Sequence, residues 1–206
     1  MHTTKTNTRQ WWQSEQYELG RCTEKWFAAH VRHIFPGLRH VSAKQYDLTA
    51  PLYDEHGKQL STLFFDVKFY AEKYRTPGWI EIRSWGKITG ILQKARKEQN
   101  SSNEVFLVCL HHGHAYVLNA KTIVSDILSG KLEVHNRGFG DNIDSNKQSS
   151  YAVLPGGFDN KRYCDVIIPL RPELFKSATK NCDEIIASII DDQLLGWCNG
   201  GTMYVK

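Results

Sequence analysis

Hydrophobic and polar positions change their period several times along this chain, and each change marks an element. Apolar residues recur at helical spacing from about 15 to 35, where Pro36-Gly37 stops them. Gly20 can divide this helix, with Thr23 as cap of the second piece, where Glu24, Phe27, Ala28, Val31 and Phe35 share one stripe. A polar arm ending in Trp11-Trp12 precedes it. Two extended runs follow, 41–53 and 60–70, joined by a polar segment around His56-Gly57 that signals a hairpin turn. A loop over 71–78 leads to a third strand, 79–85, and then to a helix over 88–99 with Ile88, Ile91, Leu92 and Ala95 on one face. The apolar run 105–110 suits a strand buried on both faces, followed by a strand over 115–119 and a short helix over 121–129 closed by Gly130. Gly, Asn, Ser and Asp dominate 136–160, which reads as long loops, before a strand over 163–170 and a helix over 182–195.

This order describes an α/β protein with a mixed central sheet flanked by helices. It divides into a core over 15–130 and a C-terminal part, 131–206, that packs on the core or extends it. At 206 residues, 41% hydrophobic and 23% charged, the chain reads as globular and large enough to bury a core unaided. No apolar run reaches the ~18 residues of a membrane span, and the first residues lack a secretory apolar segment, so a cytoplasmic location without membrane partners is expected. The five cysteines are scattered, and free buried thiols are the expectation. A net charge of +4 permits a polyanionic partner without demanding one.

Chemistry concentrates at Asp66-Val67-Lys68. In a strand, Asp66 and Lys68 project to one face while Phe65, Val67 and Phe69 pack on the other. If His56-Gly57 is a two-residue turn, facing residues have numbers summing to 113, and Asp47 stands opposite Asp66. Pro51 cannot donate to the ladder and could mark a bulge that slips this register. Two facing carboxylates repel unless a cation lies between them, and oxygen-only ligands favour Mg²⁺ or Mn²⁺.

The helix, Asp47, eighteen intervening residues, Asp66-Val67-Lys68, then strand, helix and strand resemble the PD-(D/E)XK, or restriction-endonuclease-like, nuclease superfamily, over roughly residues 20–119. The resemblance implies a core of order α-β-β-β-α-β and a metal-dependent endonuclease acting on DNA. It implies a metal held by Asp47, Asp66 and the Val67 carbonyl, with Lys68 orienting or deprotonating water or stabilising charge. Glu24 resembles the glutamate that many members carry on their first helix. Nothing in the sequence reads a 2′-hydroxyl, so RNA stays open as a substrate, and a homodimer would suit double-strand cleavage. The alternative is a nucleic-acid-binding or assembly module that keeps the fold without catalysis.

A symmetric hairpin through 71–78 would set Arg83 beside Asp66 and Glu81 beside Lys68, making Arg83 a phosphate contact and Glu81-Ile82-Arg83 a rival core motif. Lys73, Arg75 and Lys94 are further candidates for a phosphate backbone. His111, His112 and His114 read as a polar turn.

Overall fold

The computed structural model describes residues 8–41, 46–69, 78–84, 87–88, 90–137, 149–171 and 173–174. Its elements are α1 (Thr8–Val31), β1 (Arg39–His40), β2 (Leu48–Tyr53), β3 (Gln59–Phe69), β4 (Trp79–Ser84), β5 (Lys87–Ile88), α2 (Gly90–Lys97), β6 (Glu104–His111), β7 (His114–Asn119), α3 (Ala120–Leu128), β8 (Val134–Arg137), β9 (Ser149–Val153) and β10 (Cys164–Pro169). They form a mixed α/β fold. Six strands make the main sheet in the order β1-β2-β3-β6-β7-β10, and a second sheet runs β5-β4-β9-β8.

Within the main sheet β3 and β6 are parallel, and the other pairs are antiparallel. A parallel neighbour requires a crossover, and the segment carrying β4, β5 and α2 supplies it. The alternation of side chains along β3 and β6 then builds two cores. On one face Trp26, Phe27 and Val31 of α1 pack on Phe65, Val67, Val108 and Leu110. On the other, Ile91, Leu92 and Ala95 of α2 and Ile123 of α3 pack on Leu107, Cys109 and Leu118, together with Ile80 of β4. The run expected to be buried on both faces is thus β6, which feeds each core in turn. Asn119 caps α3, its side-chain oxygen accepting from Thr122 N at 3.0 Å.

Several expectations are corrected. The chain around Trp11-Trp12 belongs to α1, not to an arm, and α1 runs through Gly20 and Thr23 without a break. Burial of Cys22, Trp26, Phe27 and Val31 offsets the modest helix penalty of one glycine. The span expected as loops contains β9 and the end of β8, which pair with each other while β9 also pairs with β4. Cys22 is disulfide-bonded, against the expectation of free thiols, and its partner lies outside the described residues. Cys109 and Cys164 are free and buried. The helix expected over 182–195 lies outside the described residues. Among the described residues no helix is long and apolar enough to cross a membrane.

The chain after β10 is tied back to α1. Trp26 Nε1 donates to Arg171 O at 3.4 Å, and Arg171 N–H donates to His30 Nε2. With Nε2 accepting, the ring proton sits on Nδ1, 2.9 Å from Trp26 O. Burial, with Arg171 nearby, holds the His30 pKa below its usual range and favours this neutral ring.

A candidate acidic site at the end of the β2–β3 hairpin

The hairpin places its two acids through a compensation. Asp54 N–H donates to Lys58 O, and Gly57 takes a φ of 77°, so the loop is the three residues Glu55, His56 and Gly57. Asp54 Oδ1 fastens it, accepting from His56 N and Lys58 N at 2.9 and 2.8 Å. Next to the loop Tyr53 faces Gln59, one short of the expected register. A bulge then leaves Leu60 unpaired, and from Leu52↔Ser61 to Leu48↔Phe65 facing residues sum to 113. Asp47 therefore stands at the position opposite Asp66, through a three-residue loop plus a bulge instead of a two-residue turn. A slip of one residue would turn one acid to the α1 face. The bulge sits beside Tyr53, and Pro51 pairs in register with Thr62.

Asp47 begins where the ladder ends. Its N–H donates to Phe65 O at 3.0 Å, while its Oδ2 accepts from Val67 N at 2.7 Å. N–H and C=O of one strand residue leave on the same edge, so the Val67 carbonyl faces the same gap. Asp66 is 8% exposed on the face towards α2, and Lys68 Nζ lies 2.9 Å from its Oδ2. Glu24, half-buried on α1, has Oε2 at 3.8 Å from His40 Nδ1.

Charges across these elements act on one another. Burial, then Asp66, holds the Asp47 pKa above the carboxylate range, with Lys68 and the Val67 N–H opposing. Burial, then Asp47, pushes Glu24 up to about 7. For Lys68, burial works against the ammonium, but Asp66, Asp47 and Glu24 outweigh it and raise its pKa. Lys94 of α2 is lowered by burial although Asp66 and Asp47 pull the other way. Its Nζ sits 4.4 Å from the centre of the Tyr46 ring, which stacks on Phe64 at 4.1 Å. Burial pushes the Tyr46 phenol up to about 12.

The fold thus gathers Asp47, Asp66, Val67 and Lys68, with Glu24 and Lys94 within reach of their charge. Arg83 is elsewhere: β4 pairs with β5 and β9 in the second sheet, and β3 has β2 and β6 as its neighbours. The same arrangement removes Glu81 from Lys68. Ile80, 1% exposed in the α2–α3 core, and the ladder to β9 outweigh the local hairpin. Lys73 and Arg75 lie outside the described residues. Tyr46 and His40 were not expected at the site, and the only sequence signal for Tyr46 is an aromatic residue directly before Asp47.

Two facing carboxylates and a carbonyl form an oxygen-only donor set with surplus negative charge, the chemistry that fits a hard divalent cation. Among the described residues no three His, Cys, Asp or Glu side chains are grouped to hold a metal ion, so Glu24 does not close a three-carboxylate cage. No family model, curated protein or solved structure matches this chain.

Proposed function

We propose that the chain is a Mg²⁺- or Mn²⁺-dependent nuclease of the PD-(D/E)XK type that hydrolyses phosphodiester bonds of DNA endonucleolytically. The observation that carries this reading is the facing pair Asp47 and Asp66, with the Lys68 ammonium 2.9 Å from Asp66 at the same end of the sheet. Asp47, Asp66 and the Val67 carbonyl would hold the cation. When bound, the cation supplies a water of lowered pKa and polarises a phosphate oxygen.

The chain's own groups supply positioning and charge. Val67 N–H, at 2.7 Å, orients the Asp47 carboxylate towards the gap. Lys68 Nζ is placed to donate to an attacking water or to a phosphate oxygen gaining charge. Lys94 adds a second ammonium on the α2 side, above Tyr46. Glu24 stands behind the pair and can accept a proton or a water hydrogen bond.

The test is cleavage of supercoiled plasmid and of labelled single strands with Mg²⁺, Mn²⁺ or EDTA, for wild type and Asp66→Ala. Metal-dependent cutting lost in the variant is the expected result. Cutting retained in Asp66→Ala sinks this site. Binding without cleavage, unchanged by the substitution, replaces the enzyme with a nucleic-acid-binding module of the same fold.

A further inference from the structure

The solvent side of α1 carries three cations in a line. At 3.6 residues per turn Arg21, Lys25 and Arg32 fall within about 40° of one another, roughly 6 and 10 Å apart along the axis. Arg32 lies just past the last residue of α1 but keeps helical geometry, its N–H donating to Ala28 O at 3.0 Å. Arg21 and Arg32 are exposed and Lys25 is half-buried. Cys22, Thr23, Trp26, Phe27, His30 and Val31 are buried on the opposite side, and Ala28, on the line itself between Lys25 and Arg32, is buried as well. Between Gly20 and Arg32 the one acid in the sequence is Glu24, turned towards His40 and within charge range of Arg21.

The line is continuous with the acidic site. Lys25, Arg32 and Arg21 are all near enough to His40 for their charge, after burial, to hold its pKa down. His40 in turn lies 3.8 Å from Glu24, whose charge neighbours are Asp47, Lys68, Asp66 and Arg21.

Arg21 and Lys25, like charges at i and i+4, repel each other along the helix, while Arg32 at its C-terminal end suits the macrodipole. A carboxylate cluster also repels the phosphates it would have to receive. Cations along its flank offset that repulsion and bring a polyanion in.

We propose that Arg21, Lys25 and Arg32 form a track for the phosphate backbone of a DNA strand, holding it beside the Asp47–Asp66 site. The proposal rests on the nuclease reading above. It is tested with the full chain and a short fluorescein-labelled DNA duplex in Ca²⁺, with anisotropy followed as salt rises from about 50 to 200 mM. In R21Q/K25Q/R32Q the plot of log K against log salt becomes shallower by about 2–3, near 0.9 per lost phosphate contact. Arg32→Gln alone shifts the slope by about 1. R21K/R32K keeps the wild-type slope, which separates charge from helix stability.

A wild-type slope in both R21Q/K25Q/R32Q and Arg32→Gln overturns the track, and so does absence of wild-type binding. The nuclease reading fails on a different readout, metal-dependent cleavage that survives Asp66→Ala.

Discussion

Asp66 and Asp126 are both buried aspartates, 8% and 2% exposed, and their surroundings are opposite. Asp126 of α3 is fully answered. Arg162 grips it through two nitrogens, Nε to Oδ2 at 2.5 Å and Nη2 to Oδ1 at 2.7 Å, and Lys131 Nζ lies 3.9 Å away. Those hydrogen bonds, Arg162 first, hold its carboxyl below the usual range. Asp66 has the Lys68 ammonium at 2.9 Å, shared with Asp47 opposite and Glu24 behind, with Lys94 further off, and both of those acidic neighbours are pushed up. A buried charge is therefore not the mark of a site in this molecule. A surplus of like charge is what motivates the proposed metal site, because a bound cation can relieve it where proton uptake otherwise would.

The largest expected effect separates the two aspartates by activity. Asp66→Ala lowers metal-dependent cleavage by roughly 10²–10³-fold or more. Asp126→Ala leaves turnover per folded molecule unchanged. Plasmid assays on both, normalised to the folded fraction by circular dichroism, measure the contrast. Equal losses in the two variants would dissolve it.

Stability should separate them in the other direction. Arg162→Ala strands a buried carboxylate and lowers the melting temperature, and Asp126→Ala lowers it less because the exposed Arg162 relaxes into water. Asp47→Asn removes one of two facing charges while keeping an acceptor for Val67 N–H. Its melting temperature in EDTA therefore rises or holds. Thermal melts in EDTA decide, and a drop in Asp47→Asn as large as that in Arg162→Ala contradicts the reading.

A smaller effect follows from Glu24. Its pKa rises on folding from 4.5 to about 7, so the folded state binds the proton more tightly. That contribution is complete below pH 4.5 and is lost as pH rises through 7. With its exposed part screened by solvent, the loss is of the order of 1–2 kcal/mol. Glu24→Gln removes it, so wild type and variant melt alike near pH 4.5 and the variant melts higher near pH 8, both in EDTA. Parallel curves across that range speak against a strained Glu24.

The smallest effect lies at His30. Its pKa is lowered from 6.5, so its contribution is present above pH 6.5 and fades as pH falls below it. Protonation removes the acceptor for Arg171 N–H. His30→Leu weakens the fold at pH 7.5 but flattens this acid limb, which chemical denaturation at several pH values detects.

Much of the candidate site was legible, and one part was right for a different reason. The pairing of Asp47 with Asp66 follows from alternation and a turn centred on Gly57, yet the turn has one residue more than expected and the Leu60 bulge restores the count. Both features are short-range, but neither has a signal strong enough to read alone. The misplacement of Arg83 has another cause. Pairing β4 with β3 assumed that consecutive strands are neighbours, whereas β4 is held by β9, some seventy residues later, and by Ile80 in the α2–α3 core.

The sequence by itself determined β2, β3, β6, β7 and β10 of the main sheet but not the two-residue β1, and with them the face on which Asp66 and Lys68 lie and the two-sided burial of β6. These depend on periods of two and 3.6 residues, which are local properties of the backbone. Only the tertiary structure decided that β6 lies parallel to β3, that β4 leaves for a second sheet, and that α1 and α2 bring Glu24 and Lys94 within range of the acid pair. Those outcomes depend on which distant apolar faces bury each other, and no local period encodes that choice.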